Sequence, residues 1–226
     1  MERKEGLDTL RGIAISLMVL DHFLAIVLFQ PVETSNLRIL TRLAEPIFAV
    51  LIGYFLVGRG RERLMVRAVD ILLVAFFVNF FYLPIMRKVE ILASFLAVYA
   101  LCILFGEALA LLLPAVFLYP LDPTSYFFDY PLPLVFSQAA LGMLIRKGSS
   151  PWVSLVFLPA ALLLPAPYNY TSLCTPIAAF ATKQLEKSSV KAPIISLMGR
   201  YPLSSYAIQY SLIVLISLFY NLPAYI

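Results

Sequence analysis

The stretch LDTLRGIAISLMVLDHF, residues 7–23, is apolar but carries Asp8, Arg11, Asp21 and His22, the last being the only histidine in the chain. Arg11 and His22 stand eleven positions apart. On an α-helix, eleven steps of about 100° return to within roughly 20° of the start, so both side chains project from one face. Along the axis they are about 16 Å apart, too far to touch. A guanidinium offers a planar fork of donors suited to phosphate, and an imidazole suits proton transfer near neutral pH. A molecule that reaches both needs phosphates at one end and a reacting group at the other. A coenzyme A thioester has that form, its arm being comparable to four or five extended residues, roughly 15 Å. Acyl transfer is therefore the chemistry expected of this stripe, with Arg11 on a phosphate and His22 at the acyl end. The competing reading is an imidazole satisfied by a carbonyl or hydroxyl inside a bundle; the cost of an ionisable group within a membrane favours a functional role.

A second constellation is LRILTRLAEPIFAVLIGYFL, residues 37–56, where Arg38, Arg42 and Glu45 follow at spacings of four and three. On one helix face these form an internal ladder of ion pairs. A depth argument gives Glu45 another role. If the turn between the first two helices centres near residues 33 and 34, Glu45 and His22 are equidistant from it on antiparallel helices. Glu45 is then expected within direct or one-water hydrogen-bond reach of His22, fixing its tautomer. Asp21 is the rival partner, although as the adjacent residue it points roughly 100° away.

These side chains need elements to hold them, and composition says in what solvent. Of 226 residues, 62% are hydrophobic and 13% charged, more apolar surface than one small soluble core can hide. The expected class is an all-α polytopic membrane protein, a single bundle of about eight to ten helices at roughly 20 residues per span. Helices are predicted near 9–29, 38–57, 64–83, 89–105, 107–121, 132–146, 151–165, 171–183 and 202–222. Those at 107–121, 151–165 and 171–183 are short and bounded or interrupted by Pro114, Pro159, Pro165 and Pro176, so one or more is expected to be broken or re-entrant. The charged head Met1–Lys4 precedes an apolar run without a small-residue cleavage site, which reads as an uncleaved first helix.

An inside N-terminus gathers Arg3, Lys4, Arg59, Arg61, Arg63, Arg67, Arg146, Lys147, Lys183, Lys187 and Lys191 on the cytoplasmic side and leaves mainly Arg38, Arg42, Arg87 and Lys88 outside. That asymmetry accounts for the net charge of +4, and no basic face with interleaved aromatics points to nucleic acid. The outer segment YPLDPTSYFFDYPLPL, residues 119–134, reads as an interfacial aromatic belt or, alternatively, as a lid. Cys102 and Cys174 are expected as free thiols, and no metal site is expected. Asp70, Asn79, Tyr82, Gln138, Ser204, Ser205, Tyr206 and Gln209 read as interhelical hydrogen-bonding partners that together suggest a wet cavity beside the first helix. Asp70 is expected to pair with Arg67.

Arg11, ten intervening residues and His22 form the R-x10-H pattern of the acyltransferase-3 type of membrane acyltransferase. LRGIAISLMVLDH resembles the first helix of the wider transmembrane acyltransferase superfamily, which includes the heparan-glucosaminide acetyltransferases. Within it the sequence is most similar to the TraX family of pilin N-terminal acetylases. The shared features are the short length, the M-x-x-DH ending from Met18 to His22, and the LR-x-x-x-RLA-x-P-x-FA block from Leu37–Arg38 through Arg42–Leu43–Ala44, Pro46 and Phe48–Ala49. The match spans residues 7–82. Two positions depart from it: the late GRYPLSSYAIQY, residues 199–210, has Gln209 or Tyr210 where a histidine is usual, and Glu45 replaces a commonly apolar residue.

The resemblance implies one integral-membrane acyltransferase-like domain over residues 1–226, in the cytoplasmic membrane, using acetyl-CoA or another acyl-CoA as donor. The acceptor would be a protein N-terminus, a glycan or a lipid. His22 would be general base or transient acyl carrier, with Glu45 or Asp21 as its partner. Arg11, Arg59, Arg61, Arg63 and Arg67 would hold the donor, although the loop arginines equally read as topology signals. Arg42, Asn79, Gln138, Tyr206 and Gln209 would line the substrate space. A small-molecule or lipid transporter is the alternative, but no second copy of the first two blocks marks related halves.

Overall fold

A computed structural model describes residues 4–30, 36–188 and 192–221. Arg3, Lys191 and the turn expected near residues 33 and 34 lie outside them. The described residues form helices joined by short turns, with no strand among them and one isolated bridge between Val89 and Phe128. Four segments, Glu5–Val27, Asn36–Leu56, Arg61–Pro84 and Ile91–Leu121, are long and apolar enough to cross a membrane, as expected of an all-α polytopic membrane protein. On the third of these, Leu73, Phe76 and Phe80 are 65%, 77% and 69% exposed, so its outer side is suited to lipid and not to water.

α1 is Glu5–His22 and runs into one wide π turn, Phe23–Val27, directly after the histidine. The second span is two pieces, α2 (Asn36–Thr41) and α3 (Ala44–Leu56). Pro46 sits in the first turn of α3, where a missing N–H costs no intrahelical bond. α4 (Arg61–Met86) and α5 (Ile91–Phe105) follow, the latter capped by the Glu90 carboxylate on the Leu92 N–H at 2.8 Å. The expected helix at 107–121 is instead a tight 3-10 helix over Gly106–Leu121, carrying Pro114 and Pro120. Ser137 of α6 (Leu132–Arg146) reaches into it, accepting from the Val116 N–H at 2.7 Å and donating to the Leu112 carbonyl at 3.1 Å. That satisfies irregular backbone from within the protein.

The expected 151–165 helix is shorter: a 3-10 turn, Pro151–Val156, leads into α7 (Phe157–Ala160). α8 (Tyr168–Leu185), α9 (Pro193–Arg200) and α10 (Pro202–Asn221) complete the bundle. Sequence reasoning missed α9, because its eight residues between two proline-marked starts give no window long enough to register as a span.

Two helix crossings are made possible by glycine. A Cβ at Gly142 of α6 would lie 1.9 Å from the Val50 carbonyl oxygen of α3, and one at Gly53 1.8 Å from that of Ala139. A Cβ at Gly199 of α9 would lie 1.8 Å from the Asp8 carbonyl oxygen of α1. Backbone-to-backbone approach of this kind suits helix association where lipid offers no hydrophobic drive.

At the end of the bundle holding the N-terminus, Glu186 gathers four elements. Its Oε1 accepts from Lys4 Nζ at 2.8 Å and from the Tyr54 hydroxyl at 2.6 Å, and Lys183 approaches Oε2 at 3.4 Å. Arg146 donates to the same Tyr54 oxygen at 3.0 Å. Burial alone would raise the Glu186 carboxyl, but the hydrogen bonds from Lys4 and Tyr54 and the charges of Lys4 and Lys183 outweigh it and hold the group at about 2. A carboxyl depressed on folding stabilises the fold above its ordinary value and loses that contribution as pH falls toward 2. Glu186→Gln is therefore expected to melt below the wild type at neutral pH, the two melting temperatures converging as the pH is lowered through that range. Parallel pH dependences would disprove the linkage.

Candidate functional site

One cavity of about 1090 Å³ runs along α1 and is walled by α3, α4, α5 and α10. Its mouth carries Lys4, Arg11, Arg59, Arg63, Arg67 and Arg200; its deep end carries His22, Asp21, Arg42, Glu45, Glu90, Asp129 and Tyr206. Arg11 and His22 thus share one continuous space, about 16 Å apart along α1. Arg61 does not line it and is exposed.

At the mouth, Arg11 is held on three sides. Its Nη1 donates to Asp8 Oδ1 at 3.0 Å and to the Gly199 carbonyl of α9 at 2.7 Å, and its guanidinium lies 4.7 Å from the Phe55 ring centroid. Arg67 approaches Asp70 at 3.5 Å, the expected pair. Arg200 is a cation that sequence reasoning missed; its only signal was its place in the late tyrosine-proline segment. Asp8, Glu62 and Asp70 line the same cavity.

At the deep end, the structure gives the carboxylates different partners from those expected. The Asp21 side chain accepts from Thr41 Oγ1 at 2.6 Å, from Arg38 Nε at 3.2 Å and Nη2 at 3.4 Å, and from Arg42 Nη2. Arg42 Nη1 continues to the Tyr130 hydroxyl at 2.9 Å. The break between α2 and α3 turns Arg38, Thr41 and Arg42 together onto one acid of α1. Asp21 is thus a clamp between the first two spans, and the expected Arg42–Glu45 ladder gives way to an Arg42–Asp21 pair.

Glu45 is 4% exposed, with the Gln138 amide as its polar neighbour; His22 Nδ1 has no hydrogen-bond partner. Both residues line the cavity, but no direct hydrogen bond joins them. Gln138 donates to Thr175 Oγ1 at 3.0 Å while its own Oε1 is unpartnered. Asn79 donates to the Ala75 carbonyl and accepts from the Glu90 N–H, each at 2.8 Å, which is a packing role. Gln209 is buried with both amide atoms unpartnered and is not part of the cavity wall.

The imidazole of His22 meets two tyrosines of α10 edge-on, Tyr206 at 6.1 Å and Tyr210 at 5.7 Å between centroids. Tyr206 donates in turn to Glu90 Oε1. The aromatic 119–134 segment does more than mark an interface, since its Asp129 and Tyr130 close the deep wall. It is tied down by Val89 N–H to the Phe127 carbonyl at 2.7 Å and Asp129 N–H to the Val89 carbonyl at 2.8 Å. Both cysteines are free. Among the described residues, no group of three or more His, Cys, Asp or Glu side chains gathers as a metal site.

No protein-family model, curated protein or solved structure matches the chain.

Proposed function

We propose that this protein is a membrane-embedded acyltransferase that moves an acyl group, acetyl by the resemblance of its first two spans, from a cytoplasmic acyl-CoA to an acceptor amine or hydroxyl in or across the membrane. The observation that carries this reading is one continuous cavity with arginines at its mouth and the chain's only histidine at its depth. Arg59, Arg63, Arg67 and Arg200, with Arg11, supply cations for the phosphates. The acyl arm follows α1 inward to His22.

There the acceptor's nitrogen or oxygen attacks the thioester carbonyl while His22 takes its proton. The carbon–sulfur bond breaks, and the coenzyme A thiolate leaves with the proton returned by the imidazolium. The products are the acylated acceptor and free coenzyme A, so atoms and charge balance without a metal or redox partner. The acidic lining around His22 gives the cavity two chemically distinct ends.

Calorimetry on purified protein tests the donor site. Acetyl-CoA is expected to bind, and Arg63→Ala or Arg11→Ala to weaken it by about 1.5–3 kcal/mol, the worth of a charge-assisted phosphate contact. Arg87→Ala, outside the cavity, should leave binding unchanged. Equal effects of all three would remove the donor site. Proteoliposomes with radiolabelled acetyl-CoA then separate the chemistries: label appearing on an acceptor, with free coenzyme A released, supports transfer, whereas an intact labelled solute crossing the bilayer supports transport.

A further inference from the structure

A third carboxylate at the deep end plays no part in the chemistry above. Glu90 is 1% exposed, and all of its polar atoms are engaged. Its N–H donates to Asn79 Oδ1 at 2.8 Å, its carbonyl accepts from Ala93 N–H at 3.0 Å, and its Oε2 accepts from Leu92 N–H at 2.8 Å. That leaves Oε1, which accepts from the Tyr206 hydroxyl. Asn79 is itself bonded to the Ala75 carbonyl of α4. Glu90 is therefore fixed to α4 and α5 and ties one tyrosine of α10 to both.

What that tyrosine holds is His22. Tyr206 and Tyr210 are one helical turn apart and meet the imidazole edge-on, at interplanar angles of 86° and 90°. The usual device for orienting a working imidazole is a hydrogen bond from its second ring nitrogen to a carboxylate or carbonyl. At Nδ1 of His22 that bond is missing. Edge-to-face packing has a defined geometry and is worth more than area burial alone, so two such contacts at right angles can set a ring plane where no hydrogen bond does.

We propose that Glu90 is a positioning residue for His22: by pinning the Tyr206 hydroxyl it locks the aromatic edge, shared with Tyr210, that sets the plane of the imidazole. The proposal rests on His22 being the base of the acyl transfer above. It assigns the orienting task to a carboxylate acting through a phenol, in place of Glu45 or Asp21. Tyr206 lines the cavity beside Glu90, so a ligand that displaced the phenol would also release the ring.

The single histidine makes the test specific. Protein labelled with ¹⁵N,¹³C-histidine gives one imidazole signal from the chain, read without any turnover. Tyr206→Phe keeps the aromatic ring and removes only the tether. It is expected to shift and broaden the His22 resonances and to lower kcat on the order of tenfold to a hundredfold through misorientation, with KM for acetyl-CoA and melting temperature near wild type. Glu90→Ala should move the His22 resonances and kcat in the same way, with a lower melting temperature because the cap on Leu92 N–H is lost as well. Glu90→Gln should restore most of kcat, because an amide accepts from Leu92 N–H through its oxygen and donates to the tyrosine oxygen through its nitrogen. His22 resonances in Tyr206→Phe and Glu90→Ala that superpose on the wild type would overturn the proposal and leave Glu90 as a helix cap. Resonances that move in a protein without any acyl transfer would uphold the positioning of His22 and refute the enzymatic reading instead.

Discussion

His22→Ala is expected to lower acyl transfer by roughly 100-fold or more, the loss that follows removal of a general base alone, while acetyl-CoA still binds. The separation of the two effects is geometric. The proposed phosphate contacts lie about 16 Å away along α1, and the imidazole makes no hydrogen bond at Nδ1 whose loss would leave a buried partner exposed. The cavity left between Tyr206 and Tyr210 costs packing but no charge. His22→Gln is the companion, since it keeps hydrogen-bonding capacity without a proton that can be exchanged near neutral pH. Binding by calorimetry and single-turnover transfer of label decide the matter together. Normal turnover in either variant removes His22 from the chemistry, and loss of donor binding along with turnover would make it a structural residue of the cavity.

The shared stripe of Arg11 and His22 was legible because helical periodicity is a property of the sequence alone, and both residues open onto one space. The partner of His22 was not legible in the same way. Equal depth on antiparallel helices places Glu45 and His22 at one level of the bundle, but depth does not say which way a side chain turns. The break at Arg42 and Leu43, between α2 and α3, rotates the arginines onto Asp21, and no periodicity argument carries through a break. Glu90 escaped notice because it stands two residues after Lys88, in the first turn of the helix expected near 89–105, where a carboxylate is an ordinary complement to the helix dipole. Its burial arises from α10, 116 residues further along the chain. The 107–121 segment was expected as a short helix open to being broken at Pro114; Pro114 and Pro120 explain why the chain tightens there into a 3-10 helix, since each removes a backbone donor.

Breaking the Asp21 clamp should have the largest effect on stability. Asp21→Asn keeps the shape but removes the negative charge that two arginines share, and places an N–H donor where Arg42 already donates. Arg42 is 7% exposed, so its charge is left in a medium that cannot solvate it. Removing one partner of a buried ion pair costs about 3–5 kcal/mol, more than the pair itself contributes. The expected result is a marked fall in melting temperature in detergent, along with loosening of the first two spans from one another, read as faster hydrogen exchange in α1 and α3. The double variant Asp21→Asn, Arg42→Met removes the more deeply buried of the two stranded charges, Arg38 keeping its bond to the Gln30 carbonyl, and should recover part of that stability, because neutral well-packed replacements for a buried pair are often close to isoenergetic with it. A single variant as stable as the wild type would show that Asp21 is no clamp. The double variant also measures what Asp21 does for catalysis. A stable, active protein confines it to architecture, whereas a stable protein that binds acetyl-CoA but transfers nothing would bring Asp21 back beside His22 as a participant in the reaction.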